Sequence, residues 1–211
     1  MKTKWMVAAA ASIAGVLVVA GCATMASDTE IAQKAVAMMK TSFKENGQAK
    51  LDRLDQDDVQ AACSRYQSAD KMPKDVAEAL EQAQQKTIRY PADGQLVGDW
   101  KAGEAIAQSG VGKQFNDDPS RPAGGNCYAC HQLSKQEVAF GTIGPSLLNY
   151  GKIRGNSEEI KRYTFGKVYN SEAFSACSLM PRFGHNGILT EKQIKDVVAL
   201  LLDPESPVNK N

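Results

Sequence analysis

At 211 residues the chain is long enough for one large domain, or for one domain with a sizeable extension. Its 25 Lys and Arg against 24 Asp and Glu leave it near neutral, without a basic block suited to a phosphate backbone, so nucleic acid is excluded as a partner. No β pattern, internal repeat or low-complexity stretch stands out, and helical periodicity dominates, which predicts an all-α protein.

In chain order, Lys2 and Lys4 precede a run of apolar and small residues from Met6 to Ala20. That run falls short of the ~20 apolar residues a membrane span needs. Residues 1–21 therefore read as a cleaved signal for export, placing the mature chain in the periplasm. Val19-Ala20-Gly21-Cys22 resembles a bacterial lipobox, in which Cys22 would become the acylated first residue. Ordinary cleavage after Ala26 is the alternative. A lipid at Cys22 would be the chain's one membrane contact, tethering a soluble domain. Losing residues 1–21 removes two lysines and no acid, leaving 23 basic residues against 24 acidic.

Residues 22–94 read as a helical extension and 95–211 as a second domain. Ile31, Ala35, Met38, Met39 and Phe43 recur at helical spacing, and Asn46-Gly47 separates them from a second stripe, Leu51, Leu54, Val59, Cys63 and Tyr66. Pro73 can open a third helix carrying Val76, Leu80 and Ala83 on one face. Such short helices are marginal alone, so they should pack on the domain that follows. Tyr90 to Gly94 marks the boundary. Asp99 can cap a helix from Trp100, and the small pair Gly103 and Ala107 would let another helix cross it closely. Gly110 to Asn126 is loop. Near the C-terminus, Thr190 and Gln193 predict a capping box and Leu189 with Ile194 a hydrophobic staple. Ile194, Val197, Val198 and Leu201 form the buried stripe of that helix, which Pro204 ends.

Between these helices Cys127-Tyr128-Ala129-Cys130-His131 forms a C-x-x-C-H run, the attachment signature of one c-type haem. At the start of a helix the two thiols can each add across a haem vinyl group, and His131 then lies under the iron. A second axial ligand is expected from Met180, beside Pro181 and about 50 residues further on; proline restrains the backbone next to the thioether. His185, Cys177 or an open sixth position are the alternatives. Met25, Met38, Met39 and Met72 are poorly placed for the role. Pro145, in Gly141 to Leu147, can offer its carbonyl to the His131 imidazole and fix its orientation. With Cys127 and Cys130 on haem and Cys22 in the signal, Cys63 and Cys177 remain as an even pair, expected as a disulfide; two buried free thiols are the alternative.

The order of small-residue helix, C-x-x-C-H, Gly-Pro loop, Met loop and terminal amphipathic helix resembles a class I cytochrome c. From residue 95 onward the likeness is finer. Gly94 to Asp99, Gly125 to His131, Ile143 to Leu147, Met180-Pro181-Arg182-Phe183-Gly184 and Asp203-Pro204-Glu205-Ser206-Pro207-Val208-Asn209 together resemble SoxX. SoxX is the small haem subunit of the SoxAX cytochrome of bacterial thiosulfate oxidation, an L-cysteine S-thiosulfotransferase.

The resemblance implies a heterodimer with a SoxA-like haem subunit that carries the catalytic haem. It also implies the SoxYZ carrier protein as the thiol partner and a soluble cytochrome c as electron acceptor. Cys127 and Cys130 would hold the haem, with His131 proximal and Met180 distal. No residue is assigned bond-making chemistry. A free-standing periplasmic electron carrier is the competing reading, and a haem sensor or peroxidase would require an open sixth position.

Overall fold

The structure, a computed structural model, describes residues 27–211; the expected export signal, Cys22 and Met25 lie outside them. Seven α-helices and no strand occur among the described residues. Helix α1 (Asp28–Ser42) starts at Ser27, which exchanges hydrogen bonds with Glu30, and none of its residues is buried. Residues 42–211 form one compact unit.

The stripe from Leu51 to Tyr66 is not one helix. A 3-10 turn spans Leu51–Leu54, and α2 occupies Asp58–Tyr66. Asp57 explains the break. Its carboxylate accepts the Gln60 amide at 2.9 Å while the Gln60 side chain accepts the Asp57 amide at 3.0 Å, and such reciprocal capping fixes a helix start. After Pro73, α3 runs Lys74–Gln85.

Helix α4 (Trp100–Gln108) begins where Asp99 accepts the Lys101 amide, and α7 (Glu191–Leu202) begins with the Thr190–Gln193 capping box. These two helices cross closely. A side chain at Gly103 would collide with the Asp196 carbonyl, and Ala107 is fully buried. Asp196 is buried too, its carboxylate accepting the Asp99 amide at 2.9 Å and pairing with Lys192 at 2.7 Å. Buried charge of this kind is tolerated only when its lone pairs are taken.

Two further helices, α5 (Tyr150–Arg154) and α6 (Glu158–Tyr169), complete the unit. Helix α6 buries Thr164, Phe165, Gly166 and Val168, half of them not strongly apolar, so its periodicity is faint. Because α4, α6 and the C-terminal tail all pack on α7, burial there extends past the expected stripe to Ala199, Leu200 and Leu202. The Cys63–Cys177 disulfide is formed, so Cys177 has no free thiol to offer a metal.

Candidate haem site

Asn126 adopts a left-handed backbone with φ 46°, and Cys127–Ala129 then make a single 3-10 turn. The motif does not open a helix, and hydrogen bonding shows why. The carbonyls of Tyr128, Cys130 and Gln132, which a continuing helix would use, each accept an amide at 2.8 Å instead, from Gly141, Gly144 and Leu147. The loop 141–147 is thereby laid directly against the motif. Only glycine permits this contact: a Cβ on Gly141 would meet the Ala129 carbonyl, and one on Gly144 would meet the His131 imidazole.

His131 Nδ1 lies 2.7 Å from the Pro145 carbonyl oxygen. A carbonyl can only accept, so Nδ1 carries the proton and the Nε2 lone pair is left for a metal. Cys127 packs on the core cluster, with its sulfur near Gly125. Burial pushes its thiol pKa up to about 12, and the neighbouring Cys130 adds to the effect. Burial thus favours the neutral thiol over the thiolate at Cys127. Two thiols at this spacing, beside an imidazole with a free Nε2, fit covalent haem c.

Met180 is half-buried against the same core. Its segment, Asn170 to Gly184, contains no α-helix and is fastened at many points. Ser171 Oγ donates to the Met180 carbonyl, and Ser178 Oγ accepts the Met180 amide at 3.3 Å. The Tyr169 carbonyl accepts the amides of both Gly184 and His185 at 3.0 Å. Cys177, with φ 58°, is tied to Cys63 of α2. Arg182, only 7% exposed, pairs with Asp57 at 2.6 Å.

Charge around this segment is balanced by several groups. Burial lifts the Asp57 carboxyl, yet the Gln60 amide and the Arg182 guanidinium outweigh it and hold its pKa below the usual carboxylate value. Burial raises Glu172, against which the Ser178 and Cys177 amides and Arg182 act. His185 is lowered by burial and by Arg182, with Asp57 opposing. Its ring therefore senses the Asp57–Arg182 pair.

Sequence reasoning did not anticipate Asp57, Glu81, Gln84 or Arg182 as supports of this segment. Arg182 sits two residues from Met180 in a motif already singled out, which is a usable signal. The others are ordinary polar residues of amphipathic helices and carry none.

Comparison with known proteins places residues 112–203 within the family "Cytochrome c". An "Uncharacterized lipoprotein" of Aquifex aeolicus (strain VF5) is 38% identical over 193 residues, covering 89% of this chain and 90% of that protein. One chain of the "Crystal structure of SoxXA from P. pantotrophus" is 27% identical with a TM-score of 0.35, over 51% of this chain and 82% of that one. The family match spans both the C-x-x-C-H turn and the Met180 segment. Residues 112–203 are thus a cytochrome c domain, an all-α electron-transfer module whose cofactor is covalently attached haem c.

Proposed function

We propose that this cytochrome is a SoxX-type subunit. It would relay the electrons released when a SoxAX complex joins thiosulfate to a cysteine of the SoxYZ carrier. The observation that carries this reading is the coexistence of Met180-Pro181-Arg182-Phe183-Gly184 and Asp203-Pro204-Glu205-Ser206-Pro207-Val208-Asn209 with the haem motif. Both segments are built into the core rather than dangling from it. Arg182 and Phe183 are buried, and Asn209 is a buried hub. Its side chain accepts the Gly151 and Lys152 amides at 2.9 and 3.2 Å and donates to the Leu201 and Asp203 carbonyls at 3.0 and 2.8 Å.

In this reading Cys127 and Cys130 would form the two thioether links, and His131 Nε2 and the Met180 sulfur would ligate the iron. Haem c supplies reversible one-electron chemistry at iron. Pro145 holds the imidazole in the tautomer that ligates and raises its basicity. A thioether favours reduced iron, so Met180 sets a higher potential than a second imidazole would. Joining thiosulfate to a thiol forms one sulfur–sulfur bond and releases two electrons and the thiol proton. No side chain described here makes that bond, which falls to the SoxA-like partner's haem. Electrons leave to a soluble cytochrome c.

The extension 22–94 would precede a haem domain at 95–211. Export and acylation at Cys22 are supported by the Aquifex relative's name as a lipoprotein. Among the described residues no helix is long and apolar enough to cross a membrane.

The test is co-expression with a candidate SoxA-like partner, followed by thiosulfate-dependent haem reduction in the presence of the carrier protein. Co-purification of a second haem polypeptide and carrier-dependent reduction are expected. A single haem polypeptide, inert to thiosulfate and carrier, would favour the free-standing electron carrier.

A further inference from the structure

The segment that presents Met180 is held from both flanks by residues of α2 and α3, far away in sequence. Before Met180, the Asn170 side chain donates to Gln84 and Thr87 at 2.9 and 2.8 Å. The Ala173 carbonyl accepts from Gln85 at 3.0 Å, and the Ala176 amide donates to Glu81 at 2.9 Å. Cys177 is bonded covalently to Cys63. After Met180, the buried guanidinium of Arg182 meets Asp57 at 2.6 Å. Every one of these partners lies between residues 57 and 87, outside the segments that carry the haem motif and its loop.

We infer that α2 and α3 are a positioning device for the distal ligand, with Asp57 and Cys63 as its principal positioning residues, acting through Arg182 and Cys177. The inference rests on the reading of Met180 as the axial ligand. A thioether is a weak ligand, so its occupancy depends on how often the segment carrying it opens. An irregular segment opens locally unless contacts restrain it. Fixing it on both sides of the ligand lowers the ordering cost of each return to iron, the general benefit of preorganisation.

The ferric holoprotein is titrated with imidazole, which competes with Met180, while the far-red methionine–iron band is followed. The variants are Asp57→Asn and the double variant Cys63→Ser/Cys177→Ser. Asparagine caps a helix as well as aspartate does, so α2 keeps its start. Hydrogen exchange is measured over residues 171–184 and, for reference, over 127–147. Both variants are expected to bind imidazole at least tenfold more tightly and to exchange tenfold faster in 171–184, with 127–147 unchanged.

Thr190→Ala, which weakens the fold away from these contacts, should leave imidazole affinity at the wild-type value. Met180→Ala should have no band. If it keeps the band, the axial assignment fails and takes the inference with it. If the band vanishes there while Asp57→Asn and the double serine variant bind imidazole as the wild type does, the positioning role is overturned and the axial reading stands. Should the serine variant fail to fold, Asp57→Asn decides alone.

Discussion

The two sides of the proposed haem site, His131 with its loop and Met180 with its segment, are built by opposite means. On the proximal side the decisive contacts are local and mostly backbone: His131 reaches Pro145 fourteen residues away, and three loop amides bind the carbonyls of Tyr128, Cys130 and Gln132. On the distal side they are long-range and mostly side chain, across separations of 95, 114 and 125 residues for Ala176–Glu81, Cys177–Cys63 and Arg182–Asp57. Local contacts form with little loop-closure cost, whereas distant ones exist only once the whole unit has folded. In the proposed ligation the imidazole would thus be held by local contacts, and the weaker thioether by the fold as a whole.

Met180→Ala breaks that comparison most severely. The methionine–iron band should disappear entirely and the reduction potential should fall, since water or another weak-field donor replaces the thioether. Haem should stay attached, because the thioether links belong to the other side. Optical spectra, potentiometry and the mass of the haem-loaded polypeptide check the three parts. An unchanged spectrum would refute the distal assignment.

On the proximal side the corresponding change is Gly144→Ala. Its new methyl group would meet the His131 ring, between a backbone amide fixed on Cys130 and the carbonyl of Pro145. Neither neighbour can yield freely. A cost at or above the ~1–3 kcal/mol of overpacking is expected, seen as a lower Tm and a poor yield of holoprotein. Hydrogen exchange should rise at 127–147 first and at 171–184 only with global unfolding.

This asymmetry also governs what the sequence reveals. The C-x-x-C-H turn, the Gly-Pro loop, the Asp99 and Thr190 caps and the Gly103–Ala107 crossing are each written in a few adjacent residues, so pattern and chemistry suffice to read them. The helix expected to start at Cys127 does not form, because the loop 141–147 takes its carbonyls, a choice that local propensity cannot show. Helix α6 is faint because Thr164 and Gly166 occupy buried positions where periodicity looks for aliphatic residues. Pairing Cys63 with Cys177 needed only cysteine arithmetic. The contacts of Arg182 with Asp57 and of Ala176 with Glu81 needed the tertiary fold.

Acid sharpens the comparison further. Asp57 has a folded-state pKa below its ordinary value, so its contribution is fully present above that ordinary value, near 3.9. It is lost as the pH falls through the lower folded value. Asp57→Asn leaves the Arg182 guanidinium without its hydrogen-bonded counter-charge, with only the more distant Glu172 carboxyl to act on it, which costs about 1–3 kcal/mol for a buried donor and less to the extent that water reaches Asp57. Denaturant titrations should show that gap at neutral pH and a convergence of variant and wild type in strong acid. A gap that persists below the folded pKa would mean that the charge is not its source.

Thr190→Ala should have the smallest effect, and its value lies in being even-handed. Thr190 follows the distal segment directly, where the Phe183 carbonyl accepts the Ile188 and Leu189 amides at 2.8 and 3.0 Å. Its hydroxyl accepts the Gln193 amide at 3.2 Å, and the Gln193 side chain donates to the Ala123 carbonyl at 2.6 Å, four residues before Cys127. The cap therefore touches the chain leading into both sides and neither ligand. Losing it should cost about 1 kcal/mol, or about 2–4 °C in Tm for a unit of this size, with no change in the methionine–iron band or in imidazole affinity. A shift in imidazole affinity here, matching that of Asp57→Asn, would mean that distal occupancy simply follows global stability, and the division between a local proximal side and a braced distal side would lose its physical basis.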